Sequence, residues 1–292
     1  MLVAATLLAT IALDSSFEPR TLPFAEVSSS HAAARELLET VLSDGLAYVN
    51  GLPLEEEAAA ASILELARWL TPSGATVAQE KFWAKGGSNT TTYLHDQNRD
   101  SNVQVKAQHL RTEGAYLAHS PRVVLVGCVY FQGAEYRMRY PRYIWTDVRA
   151  AADMLSEAHR ETLSTKKIGF EIEKDEEVDE VLKATHATLS TGPERVFWNA
   201  EAQVAETVDD ENREALGALA AAMARRKMQL NTKLEPGSVA LVDNWRVAHV
   251  RESYVGGRRR TVGSHMPDLH VRRRITEALE KEVAEKASKD EL

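Results

Sequence analysis

Cysteine is almost absent from this chain: Cys128 is the one example in 292 residues. An internal disulfide framework is therefore excluded, and the fold must rest on its core. Cys128 sits inside the apolar run VVLVGCVYF (123–131), which reads as a buried, inert thiol rather than a nucleophile. Glycine and proline are sparse, at 15 and 9, so the chain is neither collagenous nor low-complexity. Positive charge is not in excess either. The net charge of −8 gives no basic field, and nucleic acid is not an expected partner. No apolar run reaches the roughly 20 residues of a spanning helix. The segment MLVAATLLATIAL (1–13) lacks the basic start and small-residue cleavage site of a signal peptide, and reads as a buried strand or mixed apolar segment. The chain ends Lys289-Asp290-Glu291-Leu292, which matches an ER-retention tetrapeptide. Without an entry signal it reads as the end of a charged helix, and the expectation is a cytoplasmic protein with no membrane partner. Neither a Gly-x-Ser-x-Gly elbow nor a glycine-rich phosphate loop is present, so the usual serine-hydrolase and nucleotide-binding signals are missing.

What is present is an ordinary globular composition, 44% hydrophobic and 27% charged, long enough to bury a sizeable core. SSSHAAARELLETVLSDG (28–45) has serines at its start and Gly45 at its end, the marks of a helix. LAYVNGLPL (46–54) reads as a strand, and EEEAAAASILELARWLTP (55–72) as a second helix stopped by Pro72. From 76 to 147 the texture turns β-branched and aromatic, with strands predicted at 90–94, 102–110, 122–131 and 141–147. Helices follow at 148–165 and 209–230, the latter capped by Asp209 or Asp210. A strand opens the segment 166–184, whose run Asp175–Glu180 reads as a solvated surface. Strands recur within 233–250 and at 259–266, and Ile275, Leu279 and Val283 stripe a C-terminal helix. The expected plan is one domain over 1–292. It has a helix-and-strand part (1–75), a mostly antiparallel β core with inserted helices (76–270) and a terminal helix (271–292). This is a mainly β, α+β fold of the barrel or sandwich kind.

Two stretches carry the candidate chemistry. In QHLRTEGAYL (108–117), a strand would place His109, Arg111 and Glu113 on one face, and a histidine beside a carboxylate invites a metal. In LEPGSVALVDNWRVAHVRESYVGGRRRTVGSH (234–265), Asp243-Asn244 make a turn into a strand carrying Trp245, Val247 and His249 on one face. Arg260 follows eleven residues after His249 on the next strand. A His and an Arg on adjacent strands suit a metal ligand beside an anchor for an anionic cosubstrate. Taken by spacing alone, they equally suit a surface His and a basic strand edge.

VDNWRVAHVRESYVGGRRRTVG resembles the C-terminal signature of the iron(II)/2-oxoglutarate oxygenases related to taurine, trimethyllysine and γ-butyrobetaine hydroxylases and clavaminate synthase. RTEGAYLAHSPRVVLVGCV (111–129) resembles the proximal segment of that family, His-x-Glu or His-x-Asp before an aromatic and a Pro. The resemblance runs from about 45 to 270. It implies a double-stranded β-helix, or jelly roll, with flanking helices. It also implies Fe(II) on a facial triad of two His and one carboxylate, with 2-oxoglutarate as cosubstrate. By matching position, His249 is the distal iron ligand, Glu113 the carboxylate, and Arg260 the grip on 2-oxoglutarate. The proximal His position holds Arg111, which cannot be a neutral ligand and would compete for Glu113. His109 is then a third ligand if a bulge brings it round, and Arg111 turns to a substrate carboxylate. Tyr116 and Trp245 are the aromatic candidates for substrate contact. The family's Gly-Gly-x-Thr is not found near 133–147 either, where Gly133-Ala134-Glu135-Tyr136 stands.

Three readings follow. The first is an iron/2-oxoglutarate oxygenase acting on a small amino-acid-derived or secondary-metabolite molecule. The second is a metal-independent enzyme on the same fold, running acid–base chemistry or a cyclisation with Arg111, Glu113, His249 and Arg260. The third is a non-catalytic binding protein. The partner is a small molecule in the first two, and the chain is free to form homo-oligomers.

Overall fold

Two-residue alternation in two short strands decides the layering. In β2 (Leu46–Asn50), Ala47 and Val49 face one core while Leu46 and Tyr48 face another. In β11 (Ser238–Asp243), Val239 and Leu241 join the first core, and Ala240 and Val242 the second. These strands are adjacent and antiparallel, so the two sets line up as opposite faces of one sheet. The computed structural model describes residues 19–70, 92–105, 109–117, 120, 122–131, 142–172, 181–191, 194–252 and 254–266. Over 92–105, 128–131 and 254–266, and at some positions between 56 and 68, that description is of the backbone. The apolar segment 1–13, the acidic run 175–180, the segment 133–136 and the expected helix 271–286 lie outside the described residues, as does the Cys128 side chain.

The sheet has six strands, ordered β1 (Arg20–Pro23), β2, β11, β4 (Val123–Phe131), β13 (Tyr254–Met266) and β3 (Thr92–Val105). β1 runs parallel to β2, and the other neighbours are antiparallel. A short α1 (Phe24–Val27) leads into α2 (His31–Asp44), which with α3 (Glu56–Leu70) covers one face through Leu37, Val41, Ile63, Leu66 and Leu70. Each of these side chains is essentially fully buried, contributing roughly 2–3 kcal/mol. α2 starts where Ser30 Oγ accepts from the Ala33 amide (3.2 Å) and stops at Gly45, φ 87°. A Cβ at Gly45 would stand 2.8 Å from Val247 Cγ2, so glycine is needed there for space as well as conformation.

The other face of the sheet meets a three-stranded antiparallel sheet, β10 (Gln229–Lys233), β5 (Arg142–Asp147) and β12 (Val247–Arg251). Tyr143, Trp145, Leu230 and Val247 from this sheet share a core with Leu46, Tyr48, Ala240 and Val242. The back of the small sheet, through Ala248, packs on a third core. That core holds α4 (Val148–Ala152), α5 (Glu157–Thr165), α6 (Asp210–Met223) and β6 (Lys167–Ile172). β7 (Leu182–Ala187) pairs with β6, and β8 (Leu189–Thr191) with β9 (Glu194–Val196).

Three boundaries differ from the sequence expectation. The helix expected over 148–165 is two, because Ser156 begins a new one by accepting from the His159 amide (3.2 Å). The helix expected over 209–230, capped by Asp209, ends at Met223, and its last residues enter β10. There Leu230 and Thr232 lie opposite Trp145 and Tyr143. The two strands expected within 90–110 are one continuous β3, which ends before His109.

Candidate active site

The segment 109–117 is not a strand, so alternation does not orient its side chains. Arg111 is bridged to Asn199 and to His249, donating from its amide to the His249 carbonyl (3.1 Å) and accepting from the His249 amide (2.9 Å). Residues exchanging both bonds across an antiparallel pair lie about 5.5 Å apart at Cα, with side chains on the same face. The Thr112 amide donates to the Trp198 carbonyl (2.7 Å), and Thr112 Oγ1 accepts from the Trp198 amide (3.0 Å). The chain then turns through Gly114, φ 71°, closed by the Leu117 amide on the Gly114 carbonyl (3.0 Å).

That turn delivers Glu113 to His249. Glu113 Oε1 accepts from His249 Nε2 at 3.1 Å and from Arg111 Nε at 3.1 Å. His249 and Glu113 are buried, at 5% and 8% side-chain exposure, while Arg111 at 28% is the member nearest solvent. Three residues, two of them 136 positions apart in sequence, therefore converge on one carboxylate oxygen. The His249 ring lies 5.7 Å from that of Trp145, which stacks on Tyr143 at 5.2 Å. Among the described residues, His249 Nδ1 has no hydrogen-bond partner.

Asn244 holds Glu113 in place. Its Oδ1 accepts from the Glu113 amide (2.6 Å) and its Nδ2 donates to the Glu113 carbonyl (2.9 Å), with both residues buried. Asn244 is itself fixed by its own amide on the Arg122 carbonyl (2.7 Å). The adjacent Asp243 Oδ1 accepts from the Trp245 amide (3.1 Å), and burial pushes its carboxyl above the ordinary range against the pull of Arg122. Arg246 Nη2 donates to Asp147 Oδ2 (2.7 Å) and Arg246 Nη1 to the Ser43 carbonyl, tying this turn to β5 and α2. The sequence marks Asp243-Asn244 as turn formers, but nothing local announces a clamp on a residue 131 positions away. Beneath the site, Thr232 Oγ1 accepts from Trp145 Nε1 (2.8 Å) and bonds the Tyr48 hydroxyl (2.7 Å). Burial raises the Tyr48 phenol well above its ordinary range, so it stays protonated.

The remaining candidates lie elsewhere. His109 is 61% exposed and pairs with Glu201 Oε1 (2.9 Å), away from Glu113. Trp245 stands in the turn before β12 rather than on it, and is 2% exposed. Its indole carries the Arg195 guanidinium at 3.9 Å and that of Arg122 at 4.8 Å, which makes it a packing residue. Tyr116 is buried in the third core with Phe197 and Trp198. The Arg260 backbone lies on β13 opposite Tyr130 and Asp96, beside a register shift; its side chain is outside the description.

The residues at this centre do not fit the implied iron site. Two of them would suit it. Ligands about 2.1 Å from one ion and at right angles stand about 3.0 Å apart, and His249 Nε2 and Glu113 Oε1 are 3.1 Å apart. The third position is Arg111, which has no lone pair to offer and already binds the oxygen a metal would take. An ion on Oε1 would lie within about 5 Å of the guanidinium. Repulsion of a divalent cation there is roughly 7 kcal/mol at an effective dielectric of about 20, before solvent screening of Arg111. Among the described residues, no three His, Cys, Asp or Glu side chains come together. No helix among them is long and apolar enough to cross a membrane.

No curated protein matches this chain in sequence. Solved structures share its fold. A protein of Burkholderia xenovorans described as a candidate α-ketoglutarate-dependent taurine dioxygenase has TM-score 0.64 and 13% identity, over 87% of this chain and 92% of that one. PvcB of Pseudomonas aeruginosa has TM-score 0.60 and 14% identity, over 87% and 89%. An asparagine oxygenase, solved with Fe(II), 3-hydroxyasparagine and succinate, has TM-score 0.53 and 16% identity, over 83% and 88%. The family of the taurine catabolism dioxygenase TauD and of TfdA matches residues 9–265. With most of its length so matched, this chain belongs to the TauD, TfdA dioxygenase family, and its enzyme class by family is that of an oxygenase-like oxidoreductase.

Proposed function

We propose that this chain is an oxygenase-family enzyme that takes a small anionic molecule, amino-acid-derived or a secondary metabolite, and transforms it without iron by acid–base chemistry. The observation that carries this reading is the sharing of Glu113 Oε1 between His249 Nε2 and Arg111 Nε. The two facing sheets and their helices support a jelly roll as the scaffold, with the site between β12 and the 109–117 segment.

Each residue then has a role its position supports. Arg111, the most exposed of the three, is the one whose guanidinium can meet incoming substrate. A carboxylate is its natural partner. Glu113 and His249 share a proton along the Oε1–Nε2 line in a buried place where charge interactions are strong. A proton taken from substrate by this pair, and returned at another atom, gives isomerisation or ring closure with no change of oxidation state. Trp145 and Tyr143 fix the imidazole plane from below.

A second reading keeps iron and 2-oxoglutarate. It is favoured by family membership and by the 3.1 Å separation of Nε2 and Oε1. It requires Arg111 to leave Glu113, and Arg260 to hold the cosubstrate. An anaerobic titration with Fe²⁺ and 2-oxoglutarate separates the two. The metal-free reading expects no visible charge-transfer band and no saturable iron binding. A band that saturates at one iron per chain would overturn it and establish the second.

A further inference from the structure

We infer that Arg111 keeps a metal out of an otherwise preserved site, so that this single side chain decides whether the centre is metal-free. The inference rests on the metal-free reading above and deepens it by naming the determinant. Three observations carry it. Residue 111 is paired with His249 through both backbone bonds, which sets their side chains beside each other on one face. Glu113 Oε1 and His249 Nε2 already stand at the separation of two neighbouring ligands. The guanidinium puts a fixed positive charge on that same oxygen, within about 5 Å of any ion bound there.

The backbone bonds of residue 111 and the Asn244 clamp on Glu113 do not involve the Arg111 side chain. The Glu113 backbone therefore keeps its anchor when that side chain is changed, and Oε1 keeps its contact with His249 Nε2. An imidazole at position 111 would add a third ligand next to two that are in place, giving a two-histidine, one-carboxylate set suited to Fe²⁺ or Co²⁺.

The test compares the full chain with Arg111→His, Arg111→Ala and the double variant Arg111→His/Glu113→Gln, each titrated with Co²⁺. The readouts are d–d absorption, calorimetric affinity and quenching of tryptophan fluorescence, since Trp145 lies 5.7 Å from His249. Circular dichroism melts confirm that every variant is folded. Arg111→His is expected to bind one Co²⁺ at least about 100-fold more tightly than the unaltered chain, with strong quenching. Arg111→Ala, with two ligands, is expected to bind far more weakly than Arg111→His, and the double variant to lose the gain. If folded Arg111→His binds no better than the unaltered chain, or Arg111→Ala matches it, this inference is overturned while the metal-free reading stands. Tight binding by the unaltered chain overturns both.

Discussion

Replacing Asn244 by alanine removes both hydrogen bonds that fix the Glu113 backbone, 2.6 Å to its amide and 2.9 Å from its carbonyl. Both residues are buried, and an alanine side chain can make neither bond. A buried donor or acceptor stripped of its partner costs about 1–3 kcal/mol, so two such groups give roughly 2–4 kcal/mol after partial relaxation. Against a total stability of about 5–15 kcal/mol for a domain, that is a large loss from one turn residue. Urea unfolding measures it directly: the midpoint should fall while the slope m stays the same, since the surface exposed on unfolding does not change. Asn244→Asp should do no better, because it keeps an acceptor but loses the donor and buries a charge beside Glu113. A loss below about 1 kcal/mol for Asn244→Ala would refute the claim that this clamp positions the carboxylate.

Other changes have equally definite outcomes. Thr232→Val strips the shared partner from Trp145 Nε1 and the Tyr48 hydroxyl and should cost about 2–3 kcal/mol in urea, with Thr232→Ser recovering most of it. The Tyr48 phenol has its proton affinity raised by burial, so the folded chain retains a proton that the unfolded chain releases near pH 10. Stability should consequently fall as pH climbs above about 10, and Tyr48→Phe should flatten that part of the profile. His109→Ala breaks only an exposed pair with Glu201 and should change stability by less than about 0.5 kcal/mol. It should leave Co²⁺ binding by the Arg111→His variant unaltered, whereas a loss there would return His109 to the site.

Local signals in the sequence were sufficient wherever structure is decided locally. Ser30 and Gly45 bracket α2, and Asp209 caps α6, because a cap acts on amides two or three residues away. The strands at Leu46–Asn50 and Ser238–Asp243 were legible too, but both faces of each are apolar, so which core each residue meets was decided by the sheet packing. The candidate site was legible through pattern, since Arg111, Glu113 and His249 match family positions and do converge. The orientation of each was not. Thr112 and Gly114 bend the chain out of strand geometry through partners at Trp198, so a strand reading of 109–117 wrongly put His109 beside Glu113. Trp245 looks like a strand residue until the Asx turn of Asp243 takes it into a stack with Arg122 and Arg195. β10 hides behind a good helix pattern because burial against Trp145, not propensity, decides it. The Asn244 clamp depends on a contact 131 residues away, which no window along the chain contains.

In the proposed metal-free site, Glu113 Oε1 is held by Arg111 and His249 rather than by a metal. Nitrogen-15 NMR of histidine-labelled protein reads this at the atom concerned, with His249 assigned by its loss in His249→Asn. The His249 ring is expected to carry its hydrogen on Nε2, to change in Glu113→Gln, and to be indifferent to equimolar Fe²⁺ added without oxygen. Paramagnetic broadening of the His249 ring resonances at one Fe²⁺ per chain would contradict it.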